Sequence, residues 1–293
     1  MAHAAKKLGE RQSVFSVAAL QAEAGRNGLG KVSYAHIESA IGMSVEQGEL
    51  AERSFIDRRG AEFGGLTTSK SIENETRTLR YELEGRGIFQ PIASPFDAAK
   101  IVASVATRDE RIGRAWNGDQ RTATEQLLSS QNRIIALQGY AGTAKTTTVL
   151  ATFAQEAEAR GSTVVGLAPT ASAAMVLGEA LGVRSDTVAR HLLSPERPQQ
   201  GQPVLWIVDE ASLLSSNDTA RLFELAEKHN ARVILVGDVK QLGSVEAGAA
   251  FEQLQTAGME TAKLSEIVRQ TNAATKDAVL ASIEGDAKKA LVT

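Results

Sequence analysis

The chain has 293 residues, a formal net charge of −3, 43% hydrophobic and 23% charged residues, the profile of a soluble globular protein with room for one large or two ordinary domains. It has no cysteine, which excludes disulfides and cysteine-ligated zinc, and its four histidines (His3, His36, His191, His229) have no metal-ligand spacing. The charge balance excludes a strongly basic overall surface, no apolar run approaches the roughly 18 residues of a membrane span, and residues 1–11 lack the apolar core of a signal peptide. The expectation is a cytoplasmic protein without membrane insertion.

The pattern divides the chain near residue 108. Before it, the reading is mainly helical. Residues 12–24 put Val14, Phe15, Val17, Ala18 and Leu20 on roughly one helical face, and residues 31–41 do the same with Tyr34, Ile37 and Ile41. A third helix is predicted over 71–84. Gly60, Gly64 and Gly65 mark turns, Pro91 and Pro95 bracket an extended connector, and residues 98–105 form a further helix. Residues 1–107 are thus expected to be a small, mainly helical N-terminal domain.

From about residue 130 the pattern changes. Apolar runs recur at 134–137, 164–167, 204–208 and 233–236, each ending in a polar or glycine-rich turn. None alternates strictly, as expected for strands buried on both faces of a parallel sheet. Helical stretches separate them, one from Lys145 to Arg160 stopping at Gly161, another from about 171 stopping at Gly182. Residues 194–203 hold three of the six prolines and read as a surface loop. Residues 108–293 are therefore expected to be a doubly wound α/β domain, with ligands beyond the carboxyl ends of its strands.

The first of those strands runs into Gly139, Tyr140, Ala141, Gly142, Thr143, Ala144, Lys145, Thr146 and Thr147, which open a helix. This is the context of a P-loop: small residues let the backbone curl around phosphates, and the helix N-terminus adds free N–H donors and a favourable dipole. Lys145 is placed to reach the β- and γ-phosphates of ATP and Thr146 to ligate Mg2+. Ala144 stands where such loops usually carry glycine. If that position needs a positive φ, its Cβ costs on the order of 1 kcal/mol. About sixty residues on, the apolar strand 204–208 ends in Asp209 and Glu210. Asp209 is placed to hold the metal, directly or through water, and Glu210 to orient and activate the attacking water.

Further motifs lie at strand ends. Gly237-Asp238-Val239-Lys240-Gln241-Leu242 puts Gln241 where its amide can sense a γ-phosphate and Asp238 where it can brace the site. The run from Leu264 to Gln270 carries Arg269, placed to face the nucleotide. Upstream, Gln120 has both the donor and the acceptor that adenine needs. This ordered series resembles superfamily-one DNA helicases of the RecD-like branch, over about residues 115–270. Gln120 matches the adenine-reading Q motif, residues 139–146 motif I, 168–174 motif Ia, 187–192 motif Ib, 209–212 motif II, 237–242 motif III, and Arg269 the motif IV arginine. The detail is most similar to the helicase part of conjugative relaxase-helicases of the MobF type, the TraI/TrwC-like group, and TraA-type relaxases share that helicase. Residues 10–15 and 66–69 resemble the small helical domain that precedes their motor.

The resemblance implies a RecA-like P-loop fold, ATP and Mg2+, and a bacterial motor moving 5′ to 3′ on single-stranded DNA during plasmid transfer. It implies DNA contacts from Thr170, Arg190 and His191. The family's nicking chemistry is not expected, because Tyr34, Tyr81 and Tyr140 have no accompanying histidine cluster. Motifs V and VI are not found, so the chain reads as a poorly active piece of a longer protein. Two other readings remain: an interaction module carrying a translocation signal for the type IV secretion coupling protein, and a non-helicase P-loop ATPase or kinase, against which Gln241 and Arg269 count.

Overall fold

The computed structural model describes residues 1–9, 14–28, 32–56, 62–107, 115–140, 143–195, 202–238 and 250–265, with residues 55 and 56 described by backbone alone. The first elements are helices α1 (Ala2–Gly9), α2 (Val17–Asn27) and α3 (Tyr34–Glu46), followed by strands β1 (Leu50–Ile56) and β2 (Glu62–Thr68). The strands pair antiparallel from Leu50↔Thr68 to Ile56↔Glu62, and Phe15 adds a bridge to Leu66 on the other edge of β2. Three helices followed by an antiparallel hairpin thus make up this N-terminal part. Phe15, Leu20, Ile37, Ile41, Leu50 and Leu66 fill a core of its own.

The hairpin corrects the sequence reading. Gly64 and Gly65 lie within β2 rather than in turns. At Gly65 a Cβ would meet Val14 Cγ1 at 2.7 Å and the Phe15 carbonyl oxygen at 3.0 Å. The glycine is there to let the Phe15 bridge close on the sheet. Gly60 lies outside the described residues.

Thr68 ends β2 and caps α4 (Ser69–Glu84), accepting the Ser71 N–H. Pro95 opens α5 (Pro95–Ala106) at the first helical turn after the Ser94 cap. Tyr81 of α4 enters the core on one face of a larger sheet, while Ala93, just before α5, and Ala98, in its first turns, enter the core on the other.

That sheet is built from the remainder of the chain. After α6 (Gly118–Ser129) come β3 (Ile134–Gly139), a π-helical turn (Thr146–Leu150) running into α7 (Ala151–Ala159), β4 (Thr163–Ala168), α8 (Ala171–Leu181), β5 (Arg184–Thr187) and α9 (Val188–Leu193). Next are β6 (Val204–Val208), a 3-10 turn (Ala211–Leu213), α10 (Ser216–Lys228), β7 (Ala231–Gly237), α11 (Ala250–Thr256) and β8 (Thr261–Leu264). The six strands lie in the order β5-β4-β6-β7-β3-β8, with every pairing parallel. The four apolar runs read from the sequence are the central strands. The edge strands β5 and β8 were not among them. The expected helix over 145–160 begins instead with the π turn, in which the Leu150 N–H reaches the Lys145 carbonyl at 2.9 Å. Such turns are short and concentrate at functional sites.

Phe15 is 1% exposed and joins the N-terminal core to β2. Phe15→Ala should destabilise residues 1–68 by about 3–5 kcal/mol, the cost of emptying an aromatic site. Because that core shares no residue with the larger sheet, nucleotide affinity should stay unchanged, which hydrogen exchange and a nucleotide titration on the same sample will check.

Candidate nucleotide site

β3 delivers the chain into the loop at Gly139. A Cβ there would meet Leu264 Cβ at 2.9 Å, Lys145 Cδ at 3.1 Å and Thr143 Oγ1 at 3.1 Å, so the strand end is closed to any side chain. Ala141 and Gly142 lie outside the described residues. Thr143 is buried, and its hydroxyl donates to the Tyr140 carbonyl at 2.9 Å, drawing the loop's two sides together. Ala144 has φ 59°. The position does require the left-handed conformation, so this alanine carries the strain that the sequence allowed for. Lys145 folds back into the loop, where its ammonium donates to the carbonyls of Gly139 and, at 3.0 Å, Tyr140. Thr146 starts the π turn, half-buried, and Thr147 is exposed.

Burial lowers the Lys145 pKa below the ordinary lysine value, against the pull of Asp209 and Asp238. Asp209 sits one residue past β6, its N–H held by the Leu167 carbonyl at 2.8 Å. Burial raises its carboxyl pKa above the usual carboxylate value, although the Glu210 N–H at 2.8 Å and the Lys145 charge pull the other way. Glu210 has φ 51°, a second non-glycine residue in the left-handed region. Strained backbone of this kind gathers at functional sites.

The donor set fits Mg2+. A threonine hydroxyl and a carboxylate are hard oxygen ligands, and this ion takes one or two carboxylates together with substrate phosphates. A divalent ion would relieve the desolvated Asp209 charge, and phosphate oxygens would take the Lys145 donors now held by loop carbonyls.

Gln120 is engaged within the chain. It is 1% exposed and lies in the first turn of α6. Its Oε1 accepts the Asn117 N–H at 3.1 Å, and its Nε2 donates to the Thr143 carbonyl at 3.2 Å and to Thr148 Oγ1 at 3.5 Å. Both halves of the amide expected to face adenine are engaged inside the chain. Asp238 is 6% exposed just past β7. Gln241 and Arg269 lie outside the described residues.

Of the three expected DNA contacts, two are at the surface. Thr170 is exposed and caps α8, and the Arg190 side chain is 78% exposed and pairs with Asp186 at 3.3 Å. His191 is a correction: it is 1% exposed and packs edge-on against Trp206, ring centroids 4.6 Å apart. Val188 and His191, three residues apart on α9, both face the core, so this imidazole is not available to DNA.

Three functional contacts escaped the sequence reading. Thr148 Oγ1 donates to the Ala144 carbonyl at 2.7 Å and bonds Gln120, tying the strained residue to α6. Asp119 accepts the Ser265 N–H at 2.8 Å, joining α6 to the end of β8. Asn117 and Gln120 form a capping box, for which the Asn-x-x-Gln spacing is the signal that could have been used.

A strand, a loop with an inward lysine, a helix, and a second parallel strand that ends in paired carboxylates define a P-loop nucleotide-binding domain. The chain belongs to the AAA domain family, whose model matches residues 115–293. It is 28% identical, over 96% of its own length and 16% of the other's, to the multifunctional conjugation protein TraI of Escherichia coli K12. It is 34% identical to the probable conjugal transfer protein TraA of Sinorhizobium fredii NGR234, over 77% of this chain and 20% of that one. With the ATP-dependent RecD2 DNA helicase of Deinococcus radiodurans it shares 37% identity, over 57% of this chain and 23% of that one. These matches bear out the RecD-like resemblance and the relation to conjugative relaxase-helicases. The chain spans less than a quarter of the length of each of these relatives.

The strained alanine and the buried histidine can each be tested by substitution. Ala144→Gly should relieve up to about 1 kcal/mol of left-handed strain, and its nucleotide affinity should be kept or improved. Titration with a fluorescent ATP analogue and a thermal melt measure both. Burial holds the His191 pKa below its ordinary 6.5, and its Nε2 has no hydrogen-bond partner. The unfolded chain therefore takes up this proton first as pH falls. Stability from this group is complete above about pH 6.5 and declines below it. His191→Leu should flatten that part of the stability–pH curve, measured by urea melts between pH 5 and 8.

Proposed function

We propose that the chain is the ATP-binding half of a 5′-to-3′ single-stranded-DNA translocase belonging to a conjugative relaxase and acting in plasmid DNA transfer. The observation that carries the nucleotide-binding part of this reading is that Lys145 and Asp209 follow the carboxyl ends of two strands of one parallel sheet. The names of the relatives support the biological setting. In this proposal residues 108–293 are the first RecA-like motor domain, and residues 1–107 precede it as the helicase's N-terminal domain.

Each residue of the site then has a role. The backbone from Gly139 to Thr147, with Tyr140, Ala141, Gly142, Thr143 and Ala144 between, cradles the phosphates, and Lys145 neutralises their charge. Thr146 and Asp209 would hold Mg2+, which when bound polarises the transferred phosphoryl group. Glu210 orients the attacking water. Gln241 senses the γ-phosphate and Arg269 faces it. Thr170 and Arg190 contact the DNA backbone. With a net charge of −3 for the whole chain, DNA binding is weak and falls steeply with salt.

A motor closes two RecA-like units around ATP, and the second supplies arginines worth about 10³–10⁵ in rate. The 293-residue chain should therefore bind Mg–ATP, hydrolyse it slowly and displace no strand. Lys145→Ala should abolish binding of a fluorescent ATP analogue. Adding the second RecA-like unit of a relative in the same polypeptide should bring DNA-stimulated hydrolysis. Robust unwinding by this chain alone would overturn the two-unit mechanism. Continued absence of DNA-stimulated hydrolysis in the fused protein, with binding to a secretion coupling protein, would favour the interaction-module reading instead.

A further inference from the structure

Resting on the nucleotide-binding reading above, we propose that Asp119 is a positioning residue for the γ-phosphate: it fixes the exit of β8, where the run leading to Arg269 begins. One oxygen of its carboxylate, Oδ2, accepts two hydrogen bonds from Ser265, from the N–H at 2.8 Å and from the hydroxyl at 2.5 Å. Asp119 stands in the first turn of α6, 146 residues earlier in the chain. Ser265 is the first residue after β8, and Arg269 follows four residues later in the sequence.

The clasp is next to the phosphate loop. β8 pairs with β3, and its last residue, Leu264, is in register with Gly139, where that loop starts. The strand is tied at both ends. At its amino end Glu260 accepts from Gln126 Nε2 at 3.2 Å, from Asn132 Nδ2 at 2.7 Å and from the Ser130 hydroxyl. At its carboxyl end Asp119 holds the backbone and the side chain of Ser265 together, which sets the direction in which the chain leaves the sheet. Bonds to an ionised acceptor are the strong ones, and an arginine's bond to phosphate is directional, so its contact depends on where its run starts.

The readout is the ratio of affinities for a non-hydrolysable ATP analogue and for ADP, both with Mg2+, titrated calorimetrically well below each melting temperature. Base, ribose and the first two phosphates are common to both, so the ratio isolates the γ-phosphate. Asp119→Ala should lower the ratio about fivefold and leave ADP affinity within about twofold. Loss of a negative charge by itself favours the more highly charged nucleotide, the opposite direction. Asp119→Asn removes the same charge, keeps an oxygen for the Ser265 N–H, and should retain most of the ratio. Ser130→Ala loosens the far end of β8 and should leave the ratio unchanged. In an Arg269→Ala background, Asp119→Ala should have no further effect on the ratio.

An unchanged ratio in Asp119→Ala, an equal fall in Ser130→Ala, a parental ratio in Arg269→Ala, or effects of Asp119→Ala and Arg269→Ala that simply add would each overturn the clasp and leave nucleotide binding standing. If the parent binds neither nucleotide, or Lys145→Ala binds both as the parent does, the nucleotide-binding reading itself fails and the clasp falls with it.

Discussion

A sheet whose six strands all run the same way forces their carboxyl ends onto one edge, and the rest of the molecule is organised around that edge. β3 and β6 do not touch; β7 lies between them. The phosphate loop leaves one, the carboxylate pair leaves the other, and Asp238 leaves the strand between. Parallel connections need crossovers, and the crossover after β3 is the π turn with α7. Its N-terminus therefore points back at the same edge. The strand order reverses at β3, which has β7 on one side and β8 on the other, the point where open α/β sheets leave a crevice.

The charges gathered there are incomplete by themselves. Lys145 and Asp209 are both desolvated, and burial moves each toward its neutral form. Two residues at this edge, Ala144 and Glu210, have left-handed backbone. Each such position costs on the order of 1 kcal/mol or more. Lys145, the donor at this edge, is for now held by the carbonyls of Gly139 and Tyr140, acceptors that the oxygens of an anion can replace.

How far the sequence disclosed this depends on the range of the interactions. The four central strands were legible because burial on both faces leaves continuous apolar runs. β5 was not: Arg184-Ser185-Asp186-Thr187 is a polar edge strand with no pattern to read. β8 is four residues long and its alternation is too short to register. The β1–β2 hairpin was hidden by Gly64 and Gly65, which read as turns until the Phe15 bridge explains them. In the site, the loop from Gly139 to Thr147 was legible because its chemistry is local. The burial of His191 was partly legible, since Val188 and His191 share a helical face. Gln120 shows the opposite limit. Its family resemblance suggested a base, while its bonds to the Asn117 N–H and the Thr143 carbonyl are seen only in the structure. The partner at Thr143 could come only from the tertiary fold.

α4 ties the N-terminal unit to the large sheet, and its contacts differ in weight. Arg77 pairs with Glu224 on α10, but Glu224 is more than half exposed, and ion pairs of this kind contribute about 0–1 kcal/mol. Asn74 donates to Asn217 at 3.3 Å and sets the register. The anchor is Tyr81, 7% exposed within the core built by β6, β7 and α10. α4 is thus part of the large sheet's packing, although its sequence places it before that domain. At its other end the Thr68 cap joins it to β2, and the Ser69 N–H donates to the Glu49 carbonyl at 3.0 Å. α10 itself begins six residues after Glu210, just beyond the 3-10 turn next to the carboxylate pair. Through α10 and Tyr81, the edge that carries Asp209 and Glu210 is packed against the same helix whose first turn is capped by Thr68.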